Sequence, residues 1–251
     1  MSSKLRVGLF VTCLVDLMRP SVGFAAVTLL EQAGCEVFVP ETQTCCGQPA
    51  WNSGADKDAA ALARAVVDAF EGFDYIVAPS GSCGGMIKLH YVEALRDDPA
   101  YLPRAKALAA KTHELVSFLV NVRGVKSVAA QCAARACYHD SCSSLRELKV
   151  KSEPRRLLDS VDGLRLAELK EPEVCCGFGG LFSVKYPAIS ERMADDKIAD
   201  VVASGAELLI GPDLGCLLHL AGRMERQGKP VKVRHIAEVL ANADDPALGE
   251  P

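Results

Sequence analysis

The chain has 251 residues and a net charge of −4, with 28 Lys and Arg against 32 Asp and Glu. Its length suits one large α/β domain or two smaller ones. A slightly acidic balance without a long basic run argues against nucleic acid as the main partner, and charged residues interrupt every apolar stretch before about 18 residues, which argues against a membrane span. We expect no signal peptide, because the N-terminus lacks a small-residue cleavage site, and we expect a cytoplasmic protein.

Strand and helix patterns alternate along the first half of the chain. Runs rich in β-branched residues predict strands, and an alanine-rich run with Asp56 and Asp58 in its first turn predicts a helix. The predicted elements are a strand over 5–11, a helix over 20–33, a strand over 36–39, a helix over 56–70, a strand over 75–78 and a helix over 86–95. A long linking helix over 103–122 follows.

The second half of the chain repeats the same order of elements. It predicts a strand over 136–139, a helix over 153–160, a strand over 164–167, a helix over 187–203, a strand over 208–210, a helix from 214 and a closing helix over 235–241. This alternation predicts an α/β fold of two tandem, pseudo-symmetric repeats, each a small, mostly parallel sheet with flanking helices. We expect domains at 1–124 and 125–242 and a flexible tail over 243–251.

Cysteine is the most informative residue type in this sequence. The chain has 11 cysteines, about 4% of its residues, whereas disulfide scaffolds have roughly 8–10%. An odd number also prevents complete pairing. In a cytosolic protein, clustered cysteines indicate metal binding or redox chemistry.

Eight of the cysteines form a duplicated pattern. The chain has TCCGQPAWNSG around Cys45 and VCCGFGGLFSV around Cys175, and a single cysteine stands on each side of both CCG motifs. The upstream gaps are 31 and 32 residues, and the downstream gaps are 36 and 39 residues. The first set is Cys13, Cys45, Cys46 and Cys83, and the second set is Cys142, Cys175, Cys176 and Cys216.

Each of these cysteines follows a predicted strand, and ligands of open α/β sheets collect outside the carboxyl ends of the strands. We therefore expect four thiols to meet in each repeat. Adjacent cysteines are poor disulfide partners, since their Cα atoms lie only about 3.8 Å apart. Four thiolates suit an iron–sulfur cluster, a 4Fe–4S cluster above all, or structural zinc in one or both sites. The absence of compact CxxC knuckles favours iron–sulfur. The sequence has no GxGxxG, P-loop or HExxH motif, so these motifs give no indication of another cofactor.

The repeated module resembles the cysteine-rich CCG domain family, which is seen in heterodisulfide reductases and in the iron–sulfur subunits of glycolate oxidase. More closely, the whole chain resembles the lactate utilization protein A (YkgE) group. The segments that carry this resemblance, spread over residues 5–242, are TCCGQPAWNSG, PSGSC, YHDSC, CCGFGGLFSVKYPAIS, GPDLGCLLH and RHIAEVL. The resemblance implies an iron–sulfur oxidoreductase subunit that acts with companion iron–sulfur and accessory proteins to oxidise L-lactate to pyruvate.

The sequence departs from the wider CCG pattern at one position in each repeat. That pattern ends in CxxC, whereas Met86 and His219 stand at the last position here. Each half therefore offers four cysteines rather than five, which argues against a noncubane cluster of the heterodisulfide reductase kind. His219 could itself be a ligand or a structural residue.

His139 is the candidate catalytic residue, because it lies three residues before Cys142 and can exchange a proton near neutral pH. A hydrogen-bonded turn histidine and a metal ligand are its alternative roles. The glycines of CCGFGG open the second site, while Trp51 covers the first, so we expect the second site to face the redox chemistry. Cys35, Cys132 and Cys137 have no counterpart in the other repeat, and we expect them to pack in the core.

Three classes of function fit these observations. An electron-transfer iron–sulfur subunit explains the duplicated thiols and the missing flavin or nucleotide motif, and such a chain is not active alone. A thiol–disulfide reductase of the heterodisulfide reductase kind would use the adjacent cysteines directly. A zinc-stabilised scaffold protein would bind metal without redox activity.

Overall fold

A computed structural model describes residues 4–248, which fold into two compact units that divide between Val125 and Lys126. The boundary expected from the sequence, after residue 124, lies one residue earlier. None of the helices in the described range is long and apolar enough to cross a membrane.

The first unit is a four-stranded parallel sheet with helices around it. Its strands are β1 (Leu5–Leu9), β2 (Cys35–Phe38), β3 (Tyr75–Ala78) and β4 (Thr112–Glu114), in the spatial order β2-β1-β3-β4. Its helices are α1 (Cys13–Met18), α2 (Pro20–Gln32), α3 (Gln48–Ser53), α4 (Asp56–Phe70), α5 (Gly81–Gly85), α6 (Tyr91–Ala94), α7 (Leu102–Ala110) and α8 (Leu115–Ser117). Two π-helical turns, Met86–His90 and Phe118–Val122, continue α5 and α8.

The second unit has the same topology. Its strands are β5 (Gln131–Tyr138), β6 (Asp162–Ala167), β7 (Leu208–Gly211) and β8 (Lys232–His235), all parallel and in the order β6-β5-β7-β8. Its helices are α9 (Ser152–Leu158), α10 (Leu181–Lys185), α11 (Pro187–Ala203), α12 (Leu214–Arg226) and α13 (Ile236–Leu240), and a π-helical turn covers Ser143–Glu147. The expected fold class, two α/β repeats with parallel sheets, is confirmed.

The strand order creates a crevice at the same place in each sheet. The chain leaves the central strand β1 toward β2 on one side and later returns to β3 on the other, and β5, β6 and β7 follow the same path. The connections that leave the carboxyl ends of the two central strands therefore diverge, and ligands of open parallel sheets bind at such a switch point.

The helices that precede β3 and β7 bury the same face in both units. Helix α4 buries residues 59, 63, 66, 67 and 70, and α11 buries residues 190, 194, 197, 198 and 201. Each position in the second set lies 131 residues after its counterpart in the first. The equivalence makes Lys197 the counterpart of Val66, so a cation lies in the second unit where the first has a branched apolar side chain.

The structure differs from the sequence prediction most in the segment that links the two units and near residue 235. The prediction of a single helix over 103–122 is wrong, because the chain forms α7, then β4, then α8 with its π-helical turn. Strand β4 has the sequence THE, which carries no apolar run, and it forms because it pairs with β3 while Thr112 and Glu114 become buried. Strand β8 was likewise not expected, and the closing helix begins one residue later, at Ile236, where the ring of His235 caps it.

The tail was predicted to be flexible over 243–251, of which the structure describes residues 243–248. Ala247 is buried, the Leu248 N–H donates to the Val233 carbonyl (2.8 Å), and the Arg234 guanidinium donates to the Ala243 carbonyl (2.9 Å). These contacts hold the described part of the tail against β8. Residues 249–251 lie outside the described range.

Candidate metal centres

The first centre consists of four thiols from three connections of the first unit. Cys13 is the first residue of α1, Cys45 and Cys46 lie in the loop before α3, and Cys83 lies in α5. The Sγ atoms of Cys46 and Cys83 are 3.4 Å apart. The Cys45 thiol is hydrogen-bonded to both Cys13 and Cys46. The structure thus brings together all four cysteines of the first predicted set.

Short polar side chains fix two of these connections. The Thr12 hydroxyl accepts a hydrogen bond from the Val15 N–H (3.3 Å), and the Ser80 hydroxyl accepts one from the Cys83 N–H (3.3 Å). Both hydroxyls satisfy amide groups that the first turn of a helix leaves without a partner. Helix starts therefore position Cys13 and Cys83, and partial positive charge at a helix start favours a thiolate.

The first centre is buried on one side and open on the other. Cys46 and Cys83 are buried, Cys45 is half-buried and Cys13 is exposed. A cavity of about 490 Å³ adjoins the open side, and its lining includes Cys13, Cys45 and the exposed ring of Phe24. Under the buried side, the Tyr91 hydroxyl donates to the Cys46 carbonyl (2.9 Å). Burial raises the pKa of Tyr91 well above its usual value, so the phenol keeps its proton and can donate this hydrogen bond.

Hydrogen bonding concentrates negative charge on one thiol of the first centre. The pKa of Cys45 falls to about 2, first because the Cys13 and Cys46 thiols donate to its sulfur and then because the amides of Gly47 and Cys46 do so. The same interactions raise the pKa of Cys13 and Cys46. Thiolates, rather than thiols, are nucleophiles and metal ligands, so the centre is prepared for a soft metal.

The second centre has the same plan in the second unit. Cys142 precedes the π-helical turn after β5, Cys175 and Cys176 lie in the loop before α10, and Cys216 lies in the first turn of α12. Cys175 is hydrogen-bonded to Cys142 and Cys176, and Cys176 to Cys216. The Cys142 and Cys176 thiols lower the pKa of Cys175 to about 2. All four cysteines of the second predicted set therefore meet as well.

Two backbone amides point at sulfur atoms in the second centre. The Gly177 N–H donates to Cys175 Sγ (3.4 Å), and the Phe178 N–H donates to Cys176 Sγ (3.5 Å). Hydrogen bonds to ligand sulfur are one of the factors that set the potential of an iron–sulfur cluster. The CCGFGG loop thus contributes amide donors as well as thiols.

The glycine of each CCG motif has a left-handed backbone and lies against a helix. Gly47 has φ +84° and Gly177 has φ +87°. A methyl group on Gly177 would lie 2.6 Å from the Ser190 carbonyl oxygen of α11, and one on Gly47 would lie 3.3 Å from the Leu62 Cβ of α4. Only glycine adopts such a φ without cost. The close approach is therefore to the neighbouring helix.

His139 lies inside the second centre. It follows β5, it is 0% exposed, and a ring nitrogen lies within 4.8 Å of the Sγ atoms of Cys176 and Cys216. Neither ring nitrogen has a hydrogen-bond partner among residues 4–248. Burial, followed by the charge of Lys197, lowers the pKa of His139 to about 4. The ring is therefore neutral near pH 7, with a lone pair on one nitrogen.

His219 and Asp140 each have polar partners of their own near the second centre. The Ser190 hydroxyl donates to the Gly177 carbonyl (2.8 Å) and lies 3.2 Å from His219 Nε2. Because that hydroxyl proton is already donated, Nε2 carries the proton and donates to Ser190. Asp140 is buried and forms a two-pronged ion pair with Arg155, at 3.0 and 2.7 Å. His219 is thus connected through Ser190 to the CCGFGG loop, and Asp140 is held by Arg155 two residues before Cys142.

Lys197 is the main residue that the sequence analysis missed. It is 1% exposed, and its ammonium group donates to the Glu171 carbonyl (2.6 Å) and the Pro172 carbonyl (3.4 Å). Burial lowers its pKa. These two hydrogen bonds hold the segment that precedes Cys175 against α11. A lysine on the buried face of a predicted helix was the available signal.

The three unmatched cysteines behave in two ways. Cys35 and Cys137 are buried, as expected of core residues. The expectation is wrong for Cys132, which is only partly buried and lines a cavity of about 560 Å³ beside Arg234. It lies near the beginning of β5, where the first five residues alternate between exposed and partly buried.

The donor sets of both centres fit a soft metal. Each offers four sulfur atoms, one of which has a strongly lowered pKa, on supports that include helix starts and backbone amides. Beside the second centre, the ring nitrogens of His139 have no hydrogen-bond partner among the described residues, and one lies near Cys176 and Cys216. Buried polar atoms without partners are rare in folded proteins, and an ion that is bound there is one of the recognised explanations.

Comparisons with known proteins agree with this arrangement. A model of the CCG cysteine-rich domain matches residues 7–88 and 136–221. Curated proteins named Lactate utilization protein A are similar over 236 residues: those of Halalkalibacterium halodurans and Bacillus subtilis are both 50% identical, over 94% of this chain and 96% and 99% of theirs. The protein of Geobacillus thermodenitrificans is 52% identical over 94% of this chain and 98% of its own.

A solved structure, a hypothetical protein from Helicobacter pylori, has the same fold, with a TM-score of 0.69 at 13% sequence identity. The alignment covers 100% of this chain and 50% of that one. From the matching domain model and the curated relatives, the chain belongs to the lactate utilization protein A family of cysteine-rich CCG domain proteins.

Proposed function

We propose that this chain is an iron–sulfur electron-transfer subunit of a multi-protein complex that oxidises L-lactate to pyruvate in the cytoplasm. The observation that carries the proposal is the meeting of four thiols at the switch point of each sheet. The names of the relatives supply the substrate. All 11 cysteines are unpaired, which fits a reducing compartment.

In this proposal the protein residues hold, tune and partly expose the clusters. Cys13, Cys45, Cys46 and Cys83 bind the first cluster, and Cys142, Cys175, Cys176 and Cys216 bind the second. A bound iron–sulfur cluster accepts and passes on single electrons. Tyr91 and Lys197 fix the backbone of the two CCG loops, and the half-buried thiols leave one side of each centre accessible to a redox partner.

The complete reaction requires companions. Oxidation of a 2-hydroxy acid needs a two-electron or hydride acceptor, which is normally a flavin or a nicotinamide. The sequence has no GxGxxG motif and no P-loop. We therefore propose that companion iron–sulfur and accessory subunits supply the electrons or receive them, and that the purified chain does not oxidise lactate alone.

The two centres differ in a way that suggests different roles. The second has His139 beside its thiols, whereas the apolar Phe10 stands at the equivalent position in the first. We propose that the second centre faces the redox chemistry and the first relays electrons. In the reconstituted complex, Cys176→Ser and His139→Ala should lower turnover more than Cys46→Ser. If Cys46→Ser alone loses turnover while both second-centre variants keep it, this assignment is wrong.

Anaerobic purification followed by iron, acid-labile sulfide and zinc analysis tests the proposed cofactor. The proposal predicts iron and sulfide in matching amounts, visible absorption and an EPR signal after reduction. Metal-bound but colourless protein with zinc and no sulfide would contradict it and favour a scaffold protein. Metal-free protein with titratable Cys45-Cys46 and Cys175-Cys176 thiols would favour a thiol–disulfide reductase.

A further inference from the structure

Phe10 and His139 occupy equivalent positions in the two units. Each directly follows the central-strand region, and its backbone amide bonds to the neighbouring strand in the same way: Phe10 N–H donates to the Val77 carbonyl and His139 N–H to the Ile210 carbonyl, both at 2.8 Å. Both side chains are 0% exposed. The same buried position thus carries an apolar ring in one centre and an imidazole in the other.

The imidazole has no structural partner that would explain it. Both nitrogens of His139 are buried and lack a hydrogen bond within the described chain. A buried polar group without a partner is unfavourable, because it gives up its hydrogen bonds to water and gains none in return. The equivalent Phe10 shows that an apolar ring fills this position without such a cost. Packing alone therefore does not account for a histidine here.

The ring points at the thiols of its own centre. A ring nitrogen and the Sγ atoms of Cys176 and Cys216 all lie within 4.8 Å of one another. Ligand atoms of a single zinc ion lie about 3.5–3.8 Å apart, from Zn–N and Zn–S bonds of about 2.1 and 2.3 Å, which is the same range of distances.

From this geometry we propose that His139 is a nitrogen ligand of the metal in the second centre, beside Cys176 and Cys216, and that the first centre is held by sulfur alone. The inference rests on the proposed function only in assuming a bound metal. A neutral imidazole brings no negative charge, and histidine ligation raises the potential of an iron–sulfur cluster relative to cysteine ligation.

Isotope-labelled histidine tests this ligand directly. The full chain is produced with histidine of either natural or heavy nitrogen, purified anaerobically, reduced and examined by pulsed EPR. We expect a nitrogen coupling of the size given by a directly bound imidazole, which changes with the isotope. Absence of the coupling, or the weaker coupling of a hydrogen-bonded nitrogen, would overturn the proposal.

Three variants assign the signal. His139→Phe copies the first centre, and it should lose the coupling and retain less metal in the second centre alone. His139→Cys should retain the metal, lose the coupling and show a lower midpoint potential. His219→Gln, which alters the other nearby imidazole, should keep the coupling. A coupling that survives in His139→Phe or disappears in His219→Gln would refute the assignment.

The ligand proposal can still be tested if the chain proves not to bind an iron–sulfur cluster. If the chain contains zinc without sulfide, X-ray absorption at the zinc edge asks the same question. A nitrogen scatterer that disappears in His139→Phe would support His139 as a ligand although the iron–sulfur proposal had failed. A sulfur-only zinc environment would overturn the ligand proposal as well.

Discussion

Replacing Gly177 by alanine should destabilise the second unit far more than a left-handed glycine elsewhere does. Gly177 has φ +87°, and a methyl group there would lie 2.6 Å from the Ser190 carbonyl oxygen and 2.9 Å from Met193 Cβ. Gly228 is the matched control in the same unit, since it has φ +63° but nothing within 4 Å of the added methyl group. The pair separates backbone conformation from the contact with α11.

The two costs can be estimated from these geometries. A left-handed backbone costs an alanine about 1–2 kcal/mol, which is the whole effect expected for Gly228→Ala. Gly177→Ala adds a collision with the backbone of α11, and overpacking of this kind typically costs about 1–3 kcal/mol. We therefore expect a loss of about 2–5 kcal/mol in the free energy of unfolding of the second unit.

Urea denaturation of the full chain measures this difference. Trp51, the single tryptophan of the chain, lies in α3 and reports unfolding of the first unit by fluorescence, while far-UV circular dichroism follows both units. The circular dichroism transition of the second unit should move to lower urea in Gly177→Ala, and the fluorescence transition should not move. Equal destabilisation by Gly177→Ala and Gly228→Ala would refute the role assigned to the contact with Ser190.

Three other predictions concern the ion pair, pH and the independence of the centres. Arg155→Met should lower the free energy of unfolding of the second unit by about 3 kcal/mol, because Asp140 stays buried without its partner. Adding Asp140→Asn should recover most of this loss in urea denaturation. No recovery in the double variant would contradict the reasoning. Burial lowers the pKa of His113 from 6.5 to about 4. The free energy of unfolding of the first unit should therefore be highest above pH 6.5 and fall as the pH approaches 4. His113→Phe should flatten this decline as followed by Trp51 fluorescence, and an unchanged decline would contradict the prediction. Cys45→Ser should remove metal from the first centre only, as determined by metal analysis; loss from both centres in a folded protein would rule out independent sites.

The duplicated cysteine pattern carried most of what could be predicted. The matched gaps around Cys45 and Cys175, together with strand patterns before each cysteine, indicated which thiols meet and in which fold. Short polar strands could not be predicted in this way. Thr112–Glu114 has no apolar alternation, and it becomes a strand only because β3 offers it backbone partners. Such a strand depends on tertiary pairing rather than on local preference.

The surroundings of the cysteines depend on contacts that form only when the chain folds. His139 was a candidate from its position before Cys142, but its uncompensated nitrogens and its equivalence to Phe10 depend on the packing of β5 against β7. The role of Lys197 was similarly hidden, because its partners are carbonyl groups of a loop 25 and 26 residues away. Contacts distant in the sequence leave no periodic pattern.

The most direct test of the account follows electrons from lactate into this chain. The chain is loaded with a Mössbauer-active iron isotope, combined anaerobically with unlabelled companion subunits and given L-lactate. We expect the labelled iron to become reduced as pyruvate forms, and we expect no reduction when the companions are omitted. Pyruvate formation by the complete mixture, with the labelled iron unchanged throughout turnover, would contradict an electron-transfer role.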